Sequence, residues 1–163
     1  MSILIFIASA GAQAQTTQPP ATTPCSGVAE RHRFDFWIGE WRVTTTDGTP
    51  QGTSSVQSMA GGCGLLENWT ALNGTSGKSL NAFNPAIGRW QQYWVGQGGA
   101  VTEYRESELH GASIAFFARA PGRATRLTFT PMDDGTVRQF SEISTDGEKT
   151  WSTQYDYRYH RMP

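Results

Sequence analysis

Arg33 to Val43 read RFDFWIGEWRV, and this segment is the most informative one about the architecture of the chain. The aromatic-rich part ends in Gly39-x-Trp41 and runs directly into a Thr-rich strand pattern at Val43–Thr46. This order is typical of a small antiparallel barrel in which a tight turn or 3₁₀ segment plugs one end before the first strand. Glycine lets the backbone pass close under the barrel floor, and tryptophan is large enough to fill that floor.

Downstream of this segment, short strand patterns alternate with turn signals. The turn signals include Asp47-Gly48, Asn73-Gly74 and Asp146-Gly147, and no stretch of about 11 residues has a convincing helical period. We therefore predict an all-β fold, a single antiparallel up-and-down β-barrel of about ten strands. The predicted strands are Val43–Thr46, Ser54–Ala60, Leu65–Leu72, Lys78–Asn84, Trp90–Val95, Val101–Glu108, Ser113–Arg119, Arg126–Thr130, Thr136–Ser144 and Trp151–Tyr159.

The beginning of the chain has the pattern of an export signal. Residues 1–14 contain the apolar run ILIFIA and then Ala12-Gln13-Ala14, a small-x-small site for signal peptidase. No Lys or Arg precedes Arg31, so either translation begins further upstream or the signal is a weak one. The run is shorter than the roughly 20 residues of a membrane span, which disfavours an integral membrane anchor. Residues 15–24 are then predicted to be a disordered Thr/Pro/Gln linker, and residues 25–161 the barrel domain.

Composition disfavours some classes of partner and indicates how the two cysteines are used. The formal net charge is −1 and no basic stripe is present, which disfavours nucleic acid and anionic membranes as partners. Cys25 and Cys63 are the only cysteines. In an exported, periplasmic or secreted chain such a pair indicates a disulfide; the alternative is two free buried thiols.

The order of several motifs resembles a known protein family. FDFWIGEWRV, GGCGLLENW, GKSLNAFNP, GRWQQYWV and SEISTDGEKTW followed by YDYRYHR are similar to an exported bacterial family of unknown function, of the DUF1579 type. The resemblance covers about Cys25 to Arg161. It implies a lipocalin-like (calycin) barrel and an export route. It implies no substrate and no catalytic residue.

Strand alternation gives candidate residues for the barrel interior. Faces that combine a large aromatic side chain with a polar group are typical of a ligand cavity, because the aromatic groups supply buried area and the polar groups fix orientation. In the alternative interpretation, the aromatic residues form a dry core, and the charged residues form an ion pair or face water. The predicted ligand-binding residues are Glu67, Trp69, Asn81, Trp90, Gln92, Trp94, Arg138 and Glu142.

Two function classes follow from this reading. The first is a binding protein for a small apolar or amphipathic molecule with a polar handle. The second is a cofactor-independent isomerase or hydrolase that uses Glu67 or Glu142 as general base, since burial beside tryptophans raises the pKa of a carboxylate. A purely structural role is favoured if the barrel has no cavity.

Cofactor and metal sites have little support in the sequence. His32, His110 and His160 have no paired ligand spacing, so we predict no metal site and no cofactor. A haem-binding barrel is a lesser alternative, with His160 as its best candidate ligand.

Overall fold

The computed structural model describes residues 25–163. The signal peptide predicted for residues 1–14 and the linker predicted for residues 15–24 lie outside the described residues. Four short 3₁₀ helices occur at Cys25–Gly27, Ala29–His32, Asp35–Trp37 and Ala60–Gly62. Eleven strands make up most of the rest: β1 Gly39–Thr45, β2 Pro50–Met59, β3 Gly64–Ala71, β4 Ser76–Asn84, β5 Arg89–Gly96, β6 Val101–Tyr104, β7 Glu106–His110, β8 Ser113–Ala120, β9 Arg123–Pro131, β10 Val137–Ser144 and β11 Ser152–Arg161.

The strands form one antiparallel sheet that curls into a nearly closed barrel. Its order is β6-β5-β4-β3-β2-β1-β11-β10-β9-β8-β7, so each internal strand pairs with its neighbours in sequence and β1 pairs with β11. The predicted all-β fold, a single antiparallel up-and-down barrel, is confirmed, with eleven strands. Within residues 25–163, no helix is long and apolar enough to cross a membrane.

The barrel has a seam where one predicted strand is divided. The segment predicted as a single strand breaks at Arg105 into β6, which pairs with β5, and β7, which pairs with β8. Side chains of β5 bridge the seam, because Arg89 Nη1 donates to the carbonyl of Ser107 at 2.7 Å and Gln91 Nε2 donates to that of Arg105 at 3.0 Å. The break lets one stretch of chain serve both sides of the seam.

The aromatic segment before β1 fills one end of the barrel. Phe34, Trp37 and Trp41 are fully buried, and Trp41 Nε1 donates to the carbonyl of Trp37 at 2.9 Å. The guanidinium of Arg161, near the C-terminus, lies 4.4 Å from the ring centroid of Trp41 in a cation–π contact. Gly39 is required at this place, because its φ is +150° and a Cβ would overlap the Arg161 guanidinium.

A disulfide joins the chain segment before β1 to the barrel. Cys25 and Cys63 are bonded, which confirms the predicted pairing, and their separation is 38 residues. The bond joins the first 3₁₀ helix to the connection between β2 and β3. A loop of this size stabilises a folded chain by about 3–4 kcal/mol in the chain-entropy model.

Truncation of the floor tryptophan tests this packing. We expect Trp41→Ala to lower the free energy of unfolding by about 3–5 kcal/mol, because it leaves a large cavity and removes the platform for Arg161. Urea denaturation measures this loss. The matched control is Trp151→Ala, because Trp151 stacks on Arg126 outside the buried core and its removal should cost much less. Equal losses in the two variants would contradict the assigned role of Trp41.

Candidate ligand-binding cavity

A cavity of about 300 Å³ lies inside the barrel, above the aromatic floor. At the floor end of the barrel, Trp90 Nε1 donates to the carbonyl of Glu30, in the segment before β1. Trp94, four residues further along β5, lines the cavity. Polar and aromatic residues share the lining, which consists of Glu67, Trp69, Gln92, Trp94, Thr102, Tyr104, Arg123, Thr125, Leu127, Gln139, Ser141, Gln154, Tyr155, Tyr157 and Tyr159.

The predicted interior faces of β3, β4 and β5 are correct. Glu67 and Trp69 of β3 and Gln92 and Trp94 of β5 all line the cavity. Asn81 of β4 is fully buried between these strands and accepts a hydrogen bond of 2.7 Å from Gln92 Nε2, but it does not line the cavity. The sixth predicted residue on these strands, Trp90, lies in the floor, in edge contact with the ring of Phe34.

The predicted interior position of Arg138 and Glu142 is wrong. Both lie on the outer face of β10, where Arg138 makes two hydrogen bonds with Asp156 and Glu142 accepts one of 2.8 Å from Arg126. The physical reason is that these charges keep access to water and to partners on neighbouring strands. Phe140, the aromatic residue that favoured this face in the sequence, packs beneath the Arg138 guanidinium at 4.5 Å instead of pointing inward.

Glu67 is the centre of a buried polar layer between the floor and the cavity. It is 3% exposed, and its carboxylate accepts hydrogen bonds from Ser54 Oγ at 2.9 Å and from Ser79 Oγ at 2.8 Å. The hydroxyl of Tyr159 lies 3.5 Å from the same carboxylate and donates to Gln139 Oε1 at 3.0 Å. Side chains from four strands, β2, β3, β4 and β11, therefore meet at this carboxylate.

Burial gives Glu67 an unusual protonation equilibrium. Desolvation raises the pKa of its carboxyl group from 4.5 to about 7, against the opposing effect of the hydrogen bonds from Ser79, Ser54 and Tyr159. Burial also raises the pKa of Tyr104 to about 12 and raises the pKa of Tyr159 well above its usual value. The tyrosines stay neutral at physiological pH, whereas Glu67 changes its charge close to pH 7.

Aromatic rings form the walls above this layer. Tyr157 stacks on Tyr155 with ring centroids 4.6 Å apart and on Trp69 with centroids 6.3 Å apart. Trp94 lines the cavity from β5 and pairs with Ser79 of β4, and its indole lies over Gly77, where a Cβ would be 2.3 Å from the ring. These rings provide large apolar faces around a polar base.

Sequence reasoning missed the contributions of β9 and β11. Arg123, Thr125 and Leu127 line the cavity from β9, and Tyr155 and Tyr157 line it from β11. The signal was present in the alternation of YDYRY near the C-terminus and in RATRL after the Pro121-Gly122 turn. It was overlooked because these strands combine exposed charges with interior residues at every second position.

The seam gives the cavity a route to the outside. An open groove between β6 and β8 shares three residues with the cavity, namely Thr102, Arg123 and Thr125. Most charges along this groove are paired, since Arg105 contacts Glu103 and Arg119 bridges two carboxylates. The shared residues therefore mark the place where the cavity adjoins the outer groove.

The histidines lie away from this cavity. His160 points to the outer side of β11, within 3.2 Å of Thr44 Oγ1, while its neighbour Tyr159 points inward. His32 contacts Asp35 and His110 contacts Glu108. His160, the best candidate haem ligand in the sequence, therefore does not line this cavity. In the described part of the chain, no three His, Cys, Asp or Glu residues are grouped where they could hold a metal ion.

Comparisons with known proteins add no functional assignment. No family model matches the chain, and a search of curated proteins finds no match.

The shifted pKa of Glu67 predicts how stability depends on pH. Between pH 4.5 and 7 the folded state binds more protons at Glu67 than the unfolded state does, so the free energy of unfolding falls as pH rises through this range. The loss is on the order of 3 kcal/mol and is complete above about pH 8.

Urea denaturation between pH 5 and 8 measures this dependence. Glu67→Gln should remove this contribution, so that its stability relative to the wild type increases as pH rises. Glu142→Gln is the matched control, because that carboxylate lies on the outer face beside Arg126. A Glu67→Gln protein that retains the wild-type pH dependence would show that Glu67 titrates normally.

Proposed function

We propose that this protein binds a small, largely apolar molecule with a polar handle inside the barrel. The cavity volume of about 300 Å³ lies at the lower end of the range of about 300–1,000 Å³ that is typical of small-molecule sites. Its aromatic walls provide apolar contact area, and a few polar groups at its base fix the orientation of a bound molecule. These are the usual elements of such a site.

The observation that carries this proposal is a buried carboxylate at the base of an open, aromatic-lined space. A barrel that serves only as a structural element fills its interior with apolar side chains, since a buried polar group costs free energy unless it is hydrogen-bonded. Here the aromatic plug fills only one end. Above it, Glu67, Gln92 and Gln139 present polar groups to a cavity.

A catalytic role for Glu67 has weaker support. Both of its carboxylate oxygens already accept hydrogen bonds from serine hydroxyls, which lowers their basicity. Glu142, the other carboxylate considered, lies outside the cavity and pairs with Arg126. The binding role requires neither a free base nor a second catalytic group.

Export is part of the proposal. A disulfide is typical of oxidising compartments, and the chain has one between Cys25 and Cys63. Together with the export pattern of residues 1–14 and the resemblance to an exported lipocalin-like family, this supports a periplasmic or secreted binding protein.

Fluorescence titration with 2-naphthol tests the binding function. This molecule combines an apolar ring system with one hydroxyl group, and it absorbs where tryptophan emits. We expect saturable quenching of the indole emission, and an affinity about tenfold lower in Trp94→Ala, which corresponds to about 1.4 kcal/mol. The reason is that Trp94 forms one wall of the cavity.

Trp151→Ala is the matched control for this titration. It also removes one indole, but Trp151 stacks on Arg126 and does not line the cavity. Its affinity for 2-naphthol should equal that of the wild type. Absence of saturable quenching in the wild type, or equal affinities of the two variants, would contradict binding in this cavity.

A further inference from the structure

Glu67 is a buried acid without a cationic partner. Its hydrogen-bond partners among residues 25–163 are Ser54, Ser79 and Tyr159, and all three are neutral. A buried charge in a protein is ordinarily paired with an opposite charge. On the outer face this rule is followed, for instance by Glu142 with Arg126. The interior carboxylate is an exception that requires a reason.

The hydrogen bonds around Glu67 are directed towards a carboxylate acceptor. Gln92 Nε2 donates to Asn81 Oδ1 at 2.7 Å, and Asn81 Nδ2 donates to Ser79 Oγ at 2.9 Å. Because the Ser79 oxygen already accepts this bond, its own proton is free to be donated to Glu67 Oε2. Ser54 donates to the other oxygen. These hydrogen bonds therefore favour the ionised form of Glu67, whereas desolvation disfavours it.

The walls of the cavity complement a cation as well. The aromatic residues Trp69, Trp94, Tyr155 and Tyr157 line the same cavity as Glu67. Aromatic faces attract cations through the ring quadrupole, and tryptophan does so most strongly. A positive group inside the cavity would therefore meet a carboxylate at the base and π-systems at the sides.

We infer that the ligand is a small protonated amine with a flat apolar body, whose ammonium group pairs with Glu67. This inference rests on the proposed binding function and names the ligand class. The carboxylate retains lone pairs beyond those used by the serines, and Gln139 supplies a further oxygen in the cavity lining. The apolar body lies between Trp94 and the stacked pair of Trp69 and Tyr157.

Arg123 sets the orientation of such a ligand. Of the described residues that line the cavity, it is the one basic residue, and it lies at the seam, where the cavity and the outer groove meet. An ammonium group is repelled by Arg123 and attracted by Glu67. The amine end of the ligand is therefore the inner end, and the seam side receives a neutral or acidic end.

The pairing makes binding dependent on pH. Burial raises the pKa of each phenol that lines the cavity with Glu67, so these groups remain neutral between pH 5.5 and 8; they are Tyr104, Tyr155, Tyr157 and Tyr159. Arg123 is the basic residue in the same lining. The affinity for an amine should thus fall as pH decreases and Glu67 becomes protonated. Near pH 7, binding should release a proton.

Calorimetric titration with three probes of similar shape tests the inference. The probes are phenethylamine, 2-phenylethanol and phenylacetate, which share a benzene ring and differ in having a positive, neutral or negative end. At pH 8 we expect phenethylamine to bind at least about tenfold more tightly than 2-phenylethanol, and phenylacetate to bind most weakly.

Two variants locate the effect. In Glu67→Gln, the affinity for phenethylamine should fall at least about tenfold at pH 8, while the affinity for 2-phenylethanol is retained. Glu142→Gln removes one negative charge from the outer face and should leave both affinities unchanged. Circular dichroism establishes that each variant is folded.

A measurement on the wild type keeps the test independent of the variants. Titration of phenethylamine at pH 7 in buffers of different ionisation enthalpy should reveal proton release, and the affinity should be lower at pH 5.5 than at pH 8. Absence of both effects would overturn the inference, whatever the folding of Glu67→Gln.

The outcomes separate this inference from the proposed function. If 2-naphthol binds in the cavity but phenethylamine binds no more tightly than 2-phenylethanol, the ligand class is wrong and the binding function stands. If neither 2-naphthol nor any of the three probes binds, the proposed function fails and the inference fails with it.

Discussion

Tyr159 connects the part of the barrel that stabilises the fold with the part that forms the site. Its ring belongs to the floor, with centroids 5.9 Å from Trp37 and 6.2 Å from Trp41, and its hydroxyl reaches Gln139 and the carboxylate of Glu67. A phenol is suited to this position, because one end is apolar and the other requires a hydrogen-bond partner. The boundary between dry floor and polar layer therefore lies within a single side chain. The apolar floor therefore ends at the ring of Tyr159, and the polar layer begins at its hydroxyl group.

The extent to which the sequence could predict this arrangement differs between strands. On β3 and β5 the correct face was evident, because Glu67 and Trp69, and likewise Gln92 and Trp94, combine polar and aromatic character on one face, opposite residues that face solvent. On β10 the same criterion failed, since Phe140 covers an arginine on the outside. Periodicity identifies two faces of a strand, but it does not decide which one is inside when both contain large and charged residues.

Other features depend on contacts between distant segments, so local sequence patterns could not predict them. The seam at Arg105 results from closing the barrel, where one stretch of chain has to pair with β5 and then with β8. Arg123 becomes a cavity residue only because this seam lies beside it. The need for Gly77 likewise becomes clear only when the indole of Trp94, which pairs with Ser79, is seen to lie over it.

The unpaired carboxylate also bears on the balance between stability and function. The free energy of unfolding of a domain is only about 5–15 kcal/mol. A buried acid whose pKa is raised to about 7 lowers it by about 3 kcal/mol at neutral pH. Glutamine at position 67 would remove this cost and would keep an acceptor oxygen for one of the two serines. The disulfide and the aromatic floor supply stability elsewhere in the barrel, so the cost can be tolerated. A residue that lowers stability where a neutral substitute would fit is characteristic of functional sites. The proposed ligand therefore explains Glu67 better than the requirements of the fold do.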